Sequence, residues 1–289
     1  MRLITLSLAV ASLLAFNKLS AEVKIPEDCK QNGFAIGCQA WTFKEFTVFE
    51  AIEKTAQAGG KVIELFPKQK YSNEDGKLKF DHNATAEMIE KVKAKLKEQN
   101  VVAVNYGVVD IPQDEAQARI IFEFAKKMGL RAVTTEAEKS IDTIEKMVKE
   151  FDVMVAFHDH PKRANNPEYK MWDPNHVLGI VKDHDKRIGA CADIGHWVRS
   201  GLDPIDCLKI LKGRVVSSHL KDLTEFGNVD AHDIPYGTGV SKVGAVLDEL
   251  KKQGFDGNIS VEYEYNWKNN VVDAAQCIGF VRGYGAAKK

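Results

Sequence analysis

Glu136, Asp193, His219 and Glu262 stand at or near the ends of short apolar runs, 132–135, 188–192, 215–220 and 259–263. Similar runs end in Gln39 and Trp41, in Glu64, in Asn105 and Tyr106, and in His158 and His160; His196, Lys221 and Glu264 follow closely on the first group. Carboxylates and imidazoles are seldom buried without a partner. A divalent cation is such a partner, because several anionic and imidazole ligands can share one dication. Plainer roles are open to each residue singly. Asp193 could cap a helix, Glu136 could favour a helix N-terminus, and His219, Glu64 or His160 could be structural. Packing alone does not explain so many polar strand ends.

Side chains alternate between the two faces of a strand. Ala132, Thr134 and Glu136 share a face, as do Gly189, Cys191 and Asp193. The same holds for Ser217, His219 and Lys221, and for Ser260, Glu262 and Glu264. Small or hydroxylic residues precede each charged group, which suits a crowded barrel interior. The opposite faces (Ile188, Ala190; Val216, Leu220; Ile259, Val261) are more apolar and are expected to pack against helices. Cys191 has no adjacent base and reads as an inert buried thiol.

These residues can act together only if a scaffold gathers strand ends at one place. Strands are expected over 34–41, 62–66, 101–109, 132–135, 153–157, 188–192, 215–220 and 259–263. Helical periodicity falls between them, over 47–58, 83–98, 115–128, 141–149, 175–182, 204–211, 243–253 and 272–282. Strict βα alternation implies a parallel sheet with right-handed crossovers. Eight such units predict an α/β fold, a closed (β/α)8 TIM barrel, as a single domain over 22–289. An open doubly wound sheet would call for a glycine-rich nucleotide loop, and no G-x-G-x-x-G follows a strand. In barrels the loops after the strands build the site. The irregular stretches 160–173 and 222–239 fall on that side.

Residues 1–21 read as a secretory signal peptide: a basic Arg2, an apolar run from Ile4 to Phe16, then a polar stretch to Ala21. That run is short for a bilayer span. The expectation is an exported chain, periplasmic or extracellular after cleavage, without stable membrane insertion. The 289 residues carry a net charge of -1, so no basic excess points to nucleic acid. The five cysteines, at 29, 38, 191, 207 and 277, form no C-x-x-C pair, which argues against a zinc ribbon or disulfide scaffold. A bridge from Cys29 to Cys38 or Cys277 stays open, as does a homo-oligomer.

Four segments carry a resemblance. Thr135-Glu136, Ala192-Asp193-Ile194-Gly195-His196-Trp197, Ser218-His219-Leu220-Lys221-Asp222 and Ser260-Val261-Glu262-Tyr263-Glu264 resemble, in that order, the xylose isomerase-like barrels of the sugar phosphate isomerase/epimerase superfamily. The resemblance covers nearly all of the chain after residue 21. It implies one divalent ion (Mn, Mg, Co or Zn) held by Glu136, Asp193, His219 and Glu262. It also implies that Glu136 and Glu262 form the acid/base pair. His196 and Lys221 would stabilise oxyanion charge. The expected substrate-binding set is Gln39, Trp41, Glu64, His158, His160, Trp197 and Glu264, with Trp41, Trp197 and Trp267 as apolar walls.

Such a metal polarises a carbonyl and its neighbouring hydroxyl, so that a carboxylate can move a proton on the adjacent carbon. The expected function is therefore a metal-dependent sugar isomerase or epimerase. The alternative enzyme is a lyase that eliminates a β substituent from a 3-keto-glycoside. A non-catalytic periplasmic sugar-binding protein is the third reading. No P-loop or basic phosphate-binding cluster is evident, which argues against a phosphorylated substrate. The superfamily's abasic-site endonuclease branch needs a multi-zinc cluster and a basic DNA face, and the sequence shows neither.

Overall fold

All eight apolar runs become parallel strands in the computed structural model, which describes residues 23–284; the expected signal peptide lies outside the described residues. The strands are β1 (Phe34–Gln39), β2 (Val62–Leu65), β3 (Val102–Tyr106), β4 (Ala132–Thr135), β5 (Met154–His158), β6 (Ile188–Asp193), β7 (Val215–Leu220) and β8 (Asn258–Val261). Each pairs with the next, and β8 pairs with β1, so the sheet closes into a (β/α)8 barrel of one domain. The helices are α1 (Val48–Gln57), α2 (Ala86–Glu98), α3 (Glu115–Met128), α4 (Ile141–Phe151), α5 (Pro174–Val181), α6 (Ile194–Arg199), α7 (Pro204–Ile210), α8 (Val243–Lys252) and α9 (Val271–Tyr284). Among the described residues no helix is long and apolar enough to cross a membrane.

Local chemistry sets the helix ends. Thr47 and Glu50 form a reciprocal capping box at α1: the Glu50 amide donates to Thr47 Oγ1 (3.2 Å) and the Thr47 amide to the Glu50 carboxylate (2.8 Å). Asp173 and Asp203 cap α5 and α7, each followed by a proline in the first turn. Helix α6 was not expected. It begins directly after β6, with Asp193 as its cap, so its six residues leave no room for a separate periodic signal.

The outward strand faces, including Ile36, Ile63, Val155 and Ala190, join the helices in the main core. The interior is built of smaller groups: Ala132, Ala156 and Cys191 meet at its centre. Gly37 is required there, since a Cβ would lie 1.6 Å from the Val62 carbonyl oxygen. Val216 corrects the expected phase. A bulge between Val215 and Ser217 makes it the extra residue, and it packs inward with Ala132 and Cys191 instead of against helices.

The N-terminal end of the barrel is closed by Ile25 and Cys29 against Ala35, Val62 and Val104. A short strand, Lys30–Gln31, pairs antiparallel with Phe34 and Ala35 through Asn32-Gly33, both at positive φ. That dipeptide is a strong hairpin signal. All five cysteines are buried free thiols, so neither disulfide left open from the sequence is formed. The first expected strand is also shorter than its apolar run. It stops at Gln39, whose Oε1 accepts the Trp41 amide (2.8 Å) and starts a 3-10 turn over Ala40–Phe43.

Candidate functional site

Strand register brings the polar ends to one level. His219 on β7 lies beside Asp193 on β6 and Ser260 on β8, and Gln39 lies beside Glu64. His219 is fully buried at the centre. Its Nδ1 lies 3.1 Å from His158 Nε2, 3.2 Å from a Glu262 oxygen and 3.8 Å from Asp193 Oδ2. His158 Nε2 is 3.5 Å from Asp193 Oδ2, while its Nδ1 faces Glu136 at 3.8 Å. Glu136, His158, His219 and Glu262 thus form a continuous row.

Glu64 stands behind this row. It was expected among the substrate-binding residues, but it is fully buried and does not line the cavity described below. The Thr134 and Ser260 hydroxyls donate to its carboxylate at 2.8 and 3.1 Å, and His219 Nε2 lies 3.0 Å from it. A proton held on Nε2 by this carboxylate leaves the Nδ1 lone pair facing Asp193, Glu262 and His158.

Asp193 divides its two oxygens. Oδ1 accepts the His196 amide (2.9 Å) and caps α6, while Oδ2 meets the Lys221 ammonium. The capping role and the site role therefore coexist. Lys221 also donates to Glu262, so its buried ammonium bridges the two carboxylates. Gly195 makes room for the lysine stem, since a Cβ there would lie 2.6 Å from Lys221 Cβ. Glu264 is drawn aside by Arg199 (2.9 Å), which also binds Asp233 (2.9 Å). That separates Glu262 from Glu264, which the sequence pattern puts on one face and which both follow the end of β8.

At the other end, Glu136 Oε1 is held by His160 Nδ1 and accepts the Tyr169 hydroxyl (2.7 Å). Burial alone would raise the Glu136 carboxyl, but His158 and His160 outweigh it and hold the group below the usual range. For Glu262, burial is likewise overridden, by Lys221 and His219, and the carboxylate stays ionised. Burial drives His196 towards its neutral form. Its Nε2 lies 3.6 Å from Asp193 Oδ2.

The donor set fits a divalent cation. His158, Asp193, His219 and Glu262 are all buried and offer one atom each, all within 4.8 Å of one another. Two imidazoles and two carboxylates are common ligands for such ions. Three of the four ligands expected from the sequence are therefore brought together. His158 stands with these three, while the Glu136 carboxylate is held by His160 and Tyr169. Glu136 instead groups with His158 and His160.

A cavity of about 430 Å³ opens at the Glu262 end of the row and at His160. Trp41, Phe66, Pro67 and Val108 form an apolar wall, and Gln39, His160, Glu262 and Glu264 a polar one. Trp41 packs edge-on to Phe66 (5.2 Å) and to Trp267 (6.4 Å). Gln39 reaches the cavity with its amide already engaged, donating to the Gly107 carbonyl (2.9 Å). Trp197 does not form a wall of the cavity; it is buried in the main core because the short α6 turns its side chain inward.

Sequence reasoning missed Tyr169, Arg199 and Asp159. Tyr169 and Arg199 lie outside the strands, where period-two phase gives no signal. Asp159 stands between the two flagged histidines and accepts the Asp193 amide (2.9 Å). Asp222, quoted only as part of a motif, accepts the amides of Gly237, Gly239 and Ser241 at 2.8, 3.0 and 2.9 Å and so folds the loop before α8.

A family model described as xylose isomerase-like TIM barrel matches residues 52–280. Among solved structures, an uncharacterized protein from Parabacteroides distasonis is 30% identical, covering 86% of this chain and 98% of that one, with a TM-score of 0.69. A D-tagatose 3-epimerase-like protein is 18% identical over 87% of this chain and 97% of its own, with a TM-score of 0.66. The 3-keto-D-glucoside 4-epimerase from E. coli is 14% identical over 86% and 99%, with a TM-score of 0.65. These last two likenesses are of fold. No curated protein matches the chain by sequence. By the extent of the family match, together with the closed barrel, the chain belongs to the xylose isomerase-like TIM barrel family.

Proposed function

We propose that the protein is a sugar isomerase or epimerase that removes and returns a proton on a carbon next to a carbonyl. The observation that carries this reading is the row Glu136–His158–His219–Glu262, which meets a cavity with one apolar wall at Glu262 and, through His160 beside Glu136, at its other end. Two carboxylates at its ends suit proton transfer at two positions of one substrate. The family's metal would be held by His158, Asp193, His219 and Glu262, with Glu136 adjacent. Once bound, it would polarise a carbonyl and the neighbouring hydroxyl.

The chain's own residues do the rest. Glu262 is ionised and lines the cavity, so it can accept the proton. Glu136 is the second carboxylate of the pair, and His160, which reaches its Oε1 and lines the cavity, can relay a proton between it and the substrate. Lys221, between Asp193 and Glu262, offsets their charge and limits repulsion of an enediolate. Trp41, Phe66, Pro67 and Val108 suit the C–H face of a sugar ring. The names of the structural relatives, a tagatose 3-epimerase-like protein and a 3-keto-D-glucoside 4-epimerase, support the same substrate class. The composition of residues 1–21 supports an exported enzyme, for which free sugars and glycosides are the accessible substrates.

The test is incubation of Mn²⁺-loaded protein in D₂O with free ketoses, aldoses and 3-keto-glycosides, followed by NMR. Deuterium is expected at the carbon next to the carbonyl, together with a new epimer or isomer, and both are expected to vanish in Glu262→Gln. Release of an aglycone would replace isomerisation with elimination. No exchange with any sugar would overturn proton abstraction itself.

A further inference from the structure

The loop between β5 and α5 carries a second cavity, of about 400 Å³, lined by Lys162, Arg163, Lys170, Tyr169 and Trp172 among others. We infer that it binds an anionic group, the carboxylate or phosphate of a sugar derivative whose ring occupies the first cavity. The inference rests on the carbohydrate reading only for the rest of that ligand.

Three observations support the anion site. First, the cations are arranged but not neutralised. The Arg163 guanidinium lies 3.9 Å from the Tyr169 ring centroid and the Lys162 ammonium 5.0 Å from that of Trp172. Stacking fixes a cation while leaving its N–H edges free for an oxyanion. Among the described residues Lys162, Arg163 and Lys170 form no ion pair with a carboxylate, the neighbouring Glu168 included.

Second, the loop is tied down. The Trp172 indole donates to the Tyr169 carbonyl (2.9 Å), the Tyr169 amide to that of Asn166 (3.1 Å), and the Lys162 amide to Ser200 Oγ (2.9 Å). Ordering the site therefore costs little on binding.

Third, Tyr169 joins the second cavity to the Glu136 end of the row. Its ring backs Arg163 and its hydroxyl donates to Glu136. The first cavity carries Glu262 and Glu264 on its polar wall, so an acidic substituent is repelled there and drawn to the basic loop. The sequence shows no phosphate cluster because positions 162, 163 and 170 converge only through the turns of the loop.

The experiment is calorimetric binding at low ionic strength of D-glucuronate, D-glucose 6-phosphate, D-glucose and inorganic phosphate. It compares the wild type with a triple variant, Lys162→Ala, Arg163→Ala, Lys170→Ala. These are exposed changes, for which an unaltered thermal midpoint is the folding control. At least one acidic sugar is expected to bind about tenfold more tightly than glucose, and the triple variant to lose that preference. The tighter of the two acids identifies carboxylate or phosphate as the group. A single Arg163→Gln change is expected to lower the preference severalfold, independently of the triple variant. Equal affinity for charged and neutral sugars, or a preference that survives the triple variant, would overturn the inference. Phosphate binding that the triple variant abolishes, with no sugar bound, would keep the anion site and remove the carbohydrate reading. Binding of glucose without any gain from charge would do the reverse.

Discussion

Glu64 is the sharpest test of how the site is held, because it touches His219 from behind and does not reach the cavity. Its carboxylate engages Thr134 (2.8 Å), Ser260 (3.1 Å) and His219 (3.0 Å). Hydrogen bonds to a charged group contribute about 1.5–3 kcal/mol each, but bonds within one network do not add. Removing one member of a buried charged network costs about 3–5 kcal/mol, which is the expectation for Glu64→Ala. Glu64→Gln keeps the shape and one acceptor oxygen, so a loss of about 2 kcal/mol is expected. The larger effect should be on the cation: outer partners of a ligating histidine typically account for 10–100-fold in affinity, roughly the range expected here for Mn²⁺. Urea unfolding measures the first quantity and Mn²⁺ titration the second. ¹⁵N NMR of His219 reports the tautomer directly, with the proton expected on Nε2. Unchanged Mn²⁺ affinity and an unchanged tautomer in Glu64→Gln would refute the positioning role. A rise in sugar KM with normal metal binding would place Glu64 against substrate instead.

Lys221→Met leaves Asp193 and Glu262 buried together without their ammonium, so metal-free stability is expected to fall by about 3–5 kcal/mol. Mn²⁺ should then raise the thermal midpoint more in the variant than in the wild type; an equal or smaller gain would count against a shared cation site. Gly195→Ala forces a methyl against the Lys221 stem and is expected to cost about 1–3 kcal/mol by urea unfolding and to weaken turnover. No loss in either would mean that the close approach is readily relieved. Away from the site, the Arg187 guanidinium holds the Asp185 carboxyl at about 2, against an ordinary 3.8. A depressed folded value stabilises the protein above the ordinary value, and that contribution is lost as pH falls through about 2. Solvent screening limits it to about 1 kcal/mol. Asp185→Asn should flatten that part of the stability profile between about pH 5 and pH 2; an unchanged slope would show that the pair contributes nothing.

Much of the barrel was legible because strand phase and helix ends are local. The two-residue period placed Asp193, His219 and Glu262 inward, and helical periodicity located α5 and α7. The errors have local causes too. The bulge at Val216 breaks the period, and α6 follows β6 too closely to announce itself. The Asn32-Gly33 hairpin carried a usable signal that the strand pattern overshadowed.

By itself, then, the sequence determined that eight βα units alternate and that acids and imidazoles end the strands. It could not determine which of those ends meet. That depends on the stagger of a closed barrel and on the reach of each side chain across it. His219 and Glu64 are 155 positions apart, and Lys221 and Glu262 are 41 apart. Only the tertiary structure put His158 into the row beside Asp193, set Glu64 behind His219, placed Lys221 between two carboxylates and drew Glu264 to Arg199. Burial is the physical reason: with water excluded, each of these charged groups needs a partner, and the closed sheet decides which one is within reach.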